Sequence, residues 1–290
     1  MYRTAAPPAG APQDAAGGVF PLRLERVVHR VFPPGESRID DAFSVRHFTD
    51  LTAAYGTEFR PGSVSGGAGN TFAAMSKELV GALGAESEPV GLAVVAHSTP
   101  DLDCRYAAAT YLSEAWPHGP LSFGVSEQGS CTPFSALRLA AGYTGRHGLR
   151  AAVVLILDQA SLPYDTGPAE LGGDAGVALL LSASQQAGPR PDLRYLTGVA
   201  TPDVREVLAG ELARYEGRAT VVAGPGVDPA RDLPAGLAEV RRTGKGFPCT
   251  GLWSALAGPR PADRPLVLVD HDPVTRWLGL CAVGPAEAER

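Results

Sequence analysis

The sequence is poor in lysine: Lys77 and Lys245 are the only two among 290 residues, and arginine supplies the rest of the 25 basic side chains. Against 31 acidic residues this leaves a formal net charge of −6. The basic field that phosphate binding needs is missing, which argues against a nucleic-acid partner. Cysteine is scarce as well. Cys104, Cys131, Cys249 and Cys281 stand far apart, in no CxxC or Cys/His spacing, so neither a disulfide framework nor a structural zinc site is expected. No run approaches the roughly 18 apolar residues that a membrane span needs. The start shows neither the basic nor the apolar segment of a secretory signal, so a cytoplasmic protein is expected. Gly172-Gly173-Asp174 lacks the GxGxxG spacing and opens a strand instead of a helix, which excludes a dinucleotide loop.

What is present is apolar and segmented. A 44% apolar content over this length can bury a large core, as one domain or as two fused halves. Residues 1–18 are rich in Ala, Pro and Gly without periodicity and read as a flexible tail. Residues 19–31 read as a first strand, stopped by Pro33-Pro34-Gly35. Helices are expected over 40–55 and 71–83. The second of these carries the stripe Phe72, Met75, Leu79, Leu83, with Asn70 as its N-cap and Gly84 at its end. A further helix is expected over 103–116. Residues 92–96 and 151–157 are continuous apolar runs of strand length, as suits strands buried on both faces. Shorter strands follow at 121–125 and 176–182. Beyond them lie strands at 194–199, 219–223 and 266–269, helices at 202–215 and 251–256, and a returning strand at 278–283. Strands alternating with helices imply crossovers and a sheet covered on both faces.

One cysteine has a distinctive setting. Cys131 follows the small, polar turn Gly129-Ser130 and opens an Ala/Leu-rich segment in which Phe134, Leu137 and Ala141 recur at helical spacing. A thiol at a helix N-terminus faces unpaired N–H groups and the positive end of the macrodipole, which favour the thiolate. On this ground Cys131 is expected to be the reactive thiol of the chain.

Four stretches, in order, resemble the thiolase superfamily and within it the ketoacyl-ACP synthase III-like branch. They are Val94-Val95-Ala96-His97-Ser98-Thr99-Pro100-Asp101; Gly129-Ser130-Cys131 with its helix; Leu171-Gly172-Gly173-Asp174-Ala175-Gly176 with the strand that follows; and Val267-Leu268-Val269-Asp270-His271-Asp272-Pro273-Val274-Thr275-Arg276-Trp277. The resemblance implies an α/β fold of duplicated βαβαβ halves layered α-β-α-β-α. Residues 19–185 would be the half carrying the nucleophile, and residues 186–290 a shortened second half. It implies that Cys131 takes an acyl group from an acyl-CoA or acyl-carrier-protein thioester as a covalent intermediate, with no cofactor. It also implies that Thr99, Phe247 and Cys249 line the substrate site. The strand at 121–125 matches the one that relatives pair across a two-fold axis, so a homodimer, or a heterodimer with a ketosynthase, is expected.

The family's histidine and asparagine have no counterpart. The chain reads Gly224-Pro225-Gly226 at the first position and Gly244-Lys245-Gly246-Phe247 at the second. That pair stabilises the enolate of a decarboxylative condensation, so acyl transfer without decarboxylation is expected. The closing turn, glycine-rich in relatives, is Asp272-Pro273-Val274, and proline has no N–H to offer an oxyanion. His97 or His271, the latter flanked by Asp270 and Asp272 as orienting carboxylates, would serve as the base. Arg241-Arg242 with Lys245 reads as a solvated loop, with contact to a CoA phosphate or a carrier protein as the alternative. The alternative is a non-catalytic, chain-length-factor-like subunit that pairs with an intact ketosynthase.

Overall fold

A computed structural model describes residues 13–54, 56–60, 68–85, 89–116, 118–164 and 171–284. In chain order the elements are β1 (Gln13–Val19), β2 (Arg23–Phe32), α1 (Ala42–Ala54), α2 (Phe72–Leu83), β3 (Leu92–His97), α3 (Ala108–Ala115) and β4 (Leu121–Val125). Then come α4 (Thr132–His147), β5 (Ala151–Asp158), β6 (Asp174–Ser182), β7 (Pro191–Thr197), α5 (Val204–Leu212) and β8 (Thr220–Ala223). The chain ends in α6 (Pro229–Asp232), β9 (Glu239–Arg242), α7 (Thr250–Trp253), β10 (Leu266–Asp272) and β11 (Trp277–Val283).

Two sheets carry the fold. One runs β2-β6-β5-β3-β4 and the other β1-β7-β11-β10-β8-β9. In the first, β2–β6 and β6–β5 are antiparallel, while β5–β3 and β3–β4 are parallel. In the second, β7–β11 and β11–β10 are antiparallel, while β10–β8 and β8–β9 are parallel. The two halves therefore repeat one strand order and one pattern of directions, although no residue repeat links them. The sequence expectation of a duplicated α/β fold holds at the level of topology.

Three apolar clusters separate the layers. Between the sheets lie Val94, Ala96, Val154 and Ile156 from one sheet, Val222 and Leu268 from the other, and Phe134, Leu137, Leu252 and Trp253 from α4 and α7. Phe134 and Trp253 meet edge to face at 5.0 Å, an arrangement adding about 0.5–1.5 kcal/mol beyond burial. The outer face of the first sheet packs under α2 and α3 through Ala93, Val95, Met75, Leu79 and Leu112. The outer face of the second packs under α5 through Val221, Val267, Val269, Val204 and Leu208. Because β3, β5, β8 and β10 have packed layers on both sides, each carries a continuous apolar stretch: residues 92–96, 151–157, 221–223 and 266–269.

Local signals place several boundaries. The N-cap of α2 is Thr71, whose hydroxyl accepts from the Ala74 N–H at 3.1 Å, and Gly84 ends the helix in the left-handed region. Asn70, expected as the cap, instead donates through Nδ2 to Asp174 Oδ2 at 2.9 Å and ties the start of α2 to β6. α4 has Pro133 in its first turn and Arg146 and His147 in its last, matching the steric and dipole preferences of helix ends. α3 begins only at Ala108, five residues later than expected, because Asp101 and Asp103 close turns on the N–H groups of Asp103 and Arg105.

Two expectations are corrected. Residues 13–18, placed with the flexible tail, form β1 together with Val19, and β1 pairs antiparallel with β7 from Gln13 opposite Thr197 to Val19 opposite Asp192. The N-terminal segment thus extends the sheet of the second half, and a boundary between residues 185 and 186 does not separate the sheets. Residues 1–12 lie outside the described residues. Arg241 and Arg242, expected in a loop, lie on β9, the edge strand parallel to β8, where Arg241 pairs with Glu239 at 2.8 Å. The alternation that would announce β9 is masked by its polar, solvent-facing residues.

Candidate active site between the two sheets

The chain reaches the middle layer through a turn that requires Gly129. Glu127 and Gly129 both have positive φ, +68° and +54°, and a Cβ on Gly129 would sit 2.7 Å from Asp272 Cγ. A single 3-10 turn, Gly129–Cys131, then hands the chain to α4. Cys131 is thus delivered to the N-terminus of α4, under the end of β10. Its thiol is fully buried. Sγ donates toward the Trp277 carbonyl at 3.3 Å and lies 3.6 Å from that of Asp270.

The electrostatics of this thiol overturn the expectation of a ready thiolate. Burial raises its pKa well above the ordinary value, and the carboxyls of Asp270 and Asp272 push in the same direction. Against them stands the backbone N–H of Asp272, which favours the thiolate. A helix end contributes a fraction of a charge, whereas complete desolvation penalises the whole thiolate, so burial wins. The Asp272 amide also revises the reading of the closing turn. Proline offers no N–H there, but the residue before it does, and that donor favours the charged form of the thiol.

Strand alternation decides the rest of the site. On β10, Leu266 and Leu268 face the middle layer while Val267 and Val269 face α5. Asp270 therefore points inward with Cys131, and His271 points outward. The His271 ring donates from Nε2 to the Val199 carbonyl at 3.0 Å, while Nδ1 has no partner. On β3 the same parity applies. Ala96 faces inward, whereas His97 follows Ala93 and Val95 outward, its ring 4.8 Å from that of Phe72 on α2 and its Nδ1 bonded to the Thr99 carbonyl at 2.7 Å. Burial lowers the pKa of His97. Neither histidine is turned toward Cys131, and Asp270 cannot orient the His271 ring from the opposite face. The expected base beside the thiol is thus absent from both positions.

Cys249 is brought to the cysteine. It is buried in the same middle cluster, its Sγ 3.7 Å from the Gly129 carbonyl. Burial raises its pKa well above the ordinary value and Asp158 adds to this, while the Ser98 hydroxyl opposes it. The buried Asp158 carboxylate at the end of β5 accepts from the N–H groups of Cys249 and Thr250 and from the Thr250 hydroxyl, at 2.7–3.1 Å. It thereby anchors the start of α7 to the first sheet. Phe247 lies against Gly172 and Gly173 at the start of β6. Thr99 is buried with its hydroxyl unpaired.

Sequence reasoning missed Asp270 as an inward group, although the period-2 pattern of Leu266 to His271 carries the signal. The carboxyl of Asp270 fills the space in front of Gly224. A Cβ there would lie 2.6 Å from Oδ1 and 2.8 Å from Asp270 Cβ. Oδ1 accepts from the N–H groups of Gly226 and His271, both at 2.9 Å. Oδ2 has no hydrogen bond, although the Ser130 hydroxyl approaches closely enough to favour the charged form.

Comparison with solved structures gives one fold throughout. The chain is similar to 3-oxoacyl-[acyl-carrier-protein] synthase III from Aquifex aeolicus VF5, at 12% identity and a TM-score of 0.55 over 91% of this chain and 99% of that one. It is similar to AbyA1, a tetronic acid condensing enzyme, at 16% identity and a TM-score of 0.60 over 91% and 100%. It is similar to ChlB3, an acyltransferase, at 15% identity and a TM-score of 0.55 over 93% and 98%. No protein-family model and no curated protein matches the sequence. The chain is thus a thiolase-fold protein, and within that fold its architecture is of the ketosynthase III-like type. Among the described residues no helix is long and apolar enough to cross a membrane.

Proposed function

We propose that the protein is a ketosynthase III-like acyltransferase that loads an acyl group from an acyl-CoA or acyl-carrier-protein thioester onto Cys131 and passes it to an acceptor hydroxyl or amine. The observation that carries this reading is the placement of Cys131 at the N-terminus of α4, in the apolar layer between the sheets. A helix N-terminus behind a nucleophilic sulfur brings the positive end of the helix dipole to the negative charge that develops in acyl transfer. Decarboxylative condensation is not part of the proposal, since Gly224 has no side chain and its space is taken by a carboxyl, which repels an enolate. Intact-mass measurement after incubation with a panel of acyl-CoAs and acyl-carrier thioesters tests it. An acyl adduct mapped to Cys131 and absent from Cys131→Ala supports the reading, and release of labelled CO₂ from malonyl-CoA refutes its non-decarboxylative part.

A second reading has its own support. The complete burial of Cys131 beneath two carboxyls fits a non-catalytic subunit, and β4 is an edge strand whose Leu121 is 51% exposed. An open edge is a template for pairing with another chain. We read β4 as the dimer contact, with a second copy or a ketosynthase as partner. Light scattering at micromolar concentration that shows a monomer needing no partner for solubility counts against it.

A further inference from the structure

We infer that Asp270 is the proton acceptor for the Cys131 thiol, an assignment that rests on the acyltransferase reading for its purpose and on the geometry of the middle layer for its evidence. Asp270 is completely buried and faces the same side of β10 as Cys131, whose sulfur lies 3.6 Å from its main-chain carbonyl. Burying a carboxyl is costly unless its oxygens are paired. Oδ1 is paired twice, with the N–H groups of Gly226 and His271, and this fixes the orientation of the group. Oδ2 makes no hydrogen bond, with only the Ser130 hydroxyl near the carboxyl. Gly224 keeps the space open, since any larger residue there would collide with the carboxyl.

The titratable groups facing Asp270 are Cys131 from the turn before α4, Cys249 from the turn before α7 and Asp272 from its own strand. Burial, reinforced by Asp272, pushes its pKa up to about 7. Asp270 therefore changes charge near neutrality, where a proton acceptor is most effective. A proton that passes from the thiol to the carboxyl removes the repulsion of the thiolate by that carboxyl.

The step balances without a further reactant. The Cys131 sulfur attacks the thioester carbonyl carbon while its proton passes to the Asp270 carboxylate. The bond from that carbon to the donor sulfur breaks, and the departing thiolate takes the proton back from Asp270, leaving the acyl-enzyme and a free thiol. In the second half the acceptor O–H or N–H gives its proton to Asp270 as its heteroatom attacks the acyl carbon, and the released Cys131 sulfur recovers it.

The test separates this inference from the reading beneath it. Methyl methanethiosulfonate, a small uncharged thiol reagent, is applied to the wild-type protein and to Asp270→Asn, and its incorporation at Cys131 is followed by peptide mapping from pH 5.5 to 9.5. If Asp270 accepts the proton, the wild-type rate rises through pH 7 and Asp270→Asn reacts about tenfold or more slowly above it. If Asp270 only repels the thiolate, removing its charge makes Cys131 react faster. An equal or faster rate in Asp270→Asn, or a wild-type rate flat through pH 7 and rising only above pH 9, overturns the inference. The wild-type profile decides even where the variant does not fold. Acylation from acetyl-CoA and hexanoyl-CoA is measured in parallel. A wild-type protein that shows the pH 7 rise but takes no acyl group refutes the acyltransferase reading and leaves Asp270 as the proton acceptor. A protein acylated equally fast with and without the carboxyl refutes the inference and leaves the reading.

Discussion

Adding one methyl group at Gly224 probes how the site is packed. In Gly224→Ala the new Cβ falls within 2.6 Å of Asp270 Oδ1 and 2.8 Å of its Cβ, closer than non-bonded atoms approach. The carboxyl cannot swing aside freely, because Oδ1 is held by two N–H groups at 2.9 Å. Overpacking a core costs about 1–3 kcal/mol, and surrendering those bonds adds about 1 kcal/mol apiece. The sum is a loss of about 3–5 kcal/mol, and at about 2–4 °C per kcal/mol for chains approaching this size the Tm falls by about 6–20 °C. Asp270→Ala alone also destabilises, since the N–H groups of Gly226 and His271 lose their acceptor. In the double variant the collisions with Cγ and Oδ1 are gone, and only the 2.8 Å approach of the two Cβ atoms remains. Thermal and urea unfolding of the wild type, both single variants and the double variant close a cycle, and the coupling should restore about 1 kcal/mol or more relative to additivity. A Gly224→Ala protein with unchanged Tm, or strictly additive changes, would show that the carboxyl does not occupy this space.

Two further outcomes follow from the same geometry. Iodoacetamide at neutral pH should label Cys104 before the other cysteines, because Cys131, Cys249 and Cys281 are buried and Cys104 is partly exposed; peptide mapping that finds Cys131 labelled first would refute the protonated, desolvated thiol. Asp174→Ala should cost about 2–4 kcal/mol, read by urea unfolding, because its carboxylate accepts from Asn70 Nδ2, from the N–H groups of Ala160 and Ser161 and from the Ser161 hydroxyl, at 2.7–3.2 Å; a loss below about half a kcal/mol would mean that water replaces these bonds without penalty.

Much of the fold is legible in the residues themselves. The runs Leu92–His97 and Ala151–Asp158 declare strands covered on both faces, the stripe on α2 declares its buried side, and Gly129-Ser130-Cys131 before an Ala/Leu-rich helix declares a cysteine at a helix end. These signals are local: side-chain periodicity, capping and backbone sterics act over a few turns of chain, and each is set before any distant segment arrives. Even the inward turn of Asp270 and the outward turn of His271 are fixed relative to each other by their adjacency on one strand.

Which of the two faces the cysteine is a different matter. It depends on which side of β10 meets α4, and that follows from the order β11-β10-β8 in the sheet and from the packing of Phe134 against Trp253, residues 119 positions apart. The pairing of β1 with β7 joins segments nearly 180 residues apart and has no local trace. The fate of the Cys131 thiol is the plainest case. The sequence by itself determined that a thiol stands at a helix end, where the dipole favours its charged form. Only the tertiary structure decided its protonation, because desolvation and the approach of Asp270 and Asp272 come from a strand 139 residues away and outweigh the fractional charge of one helix end.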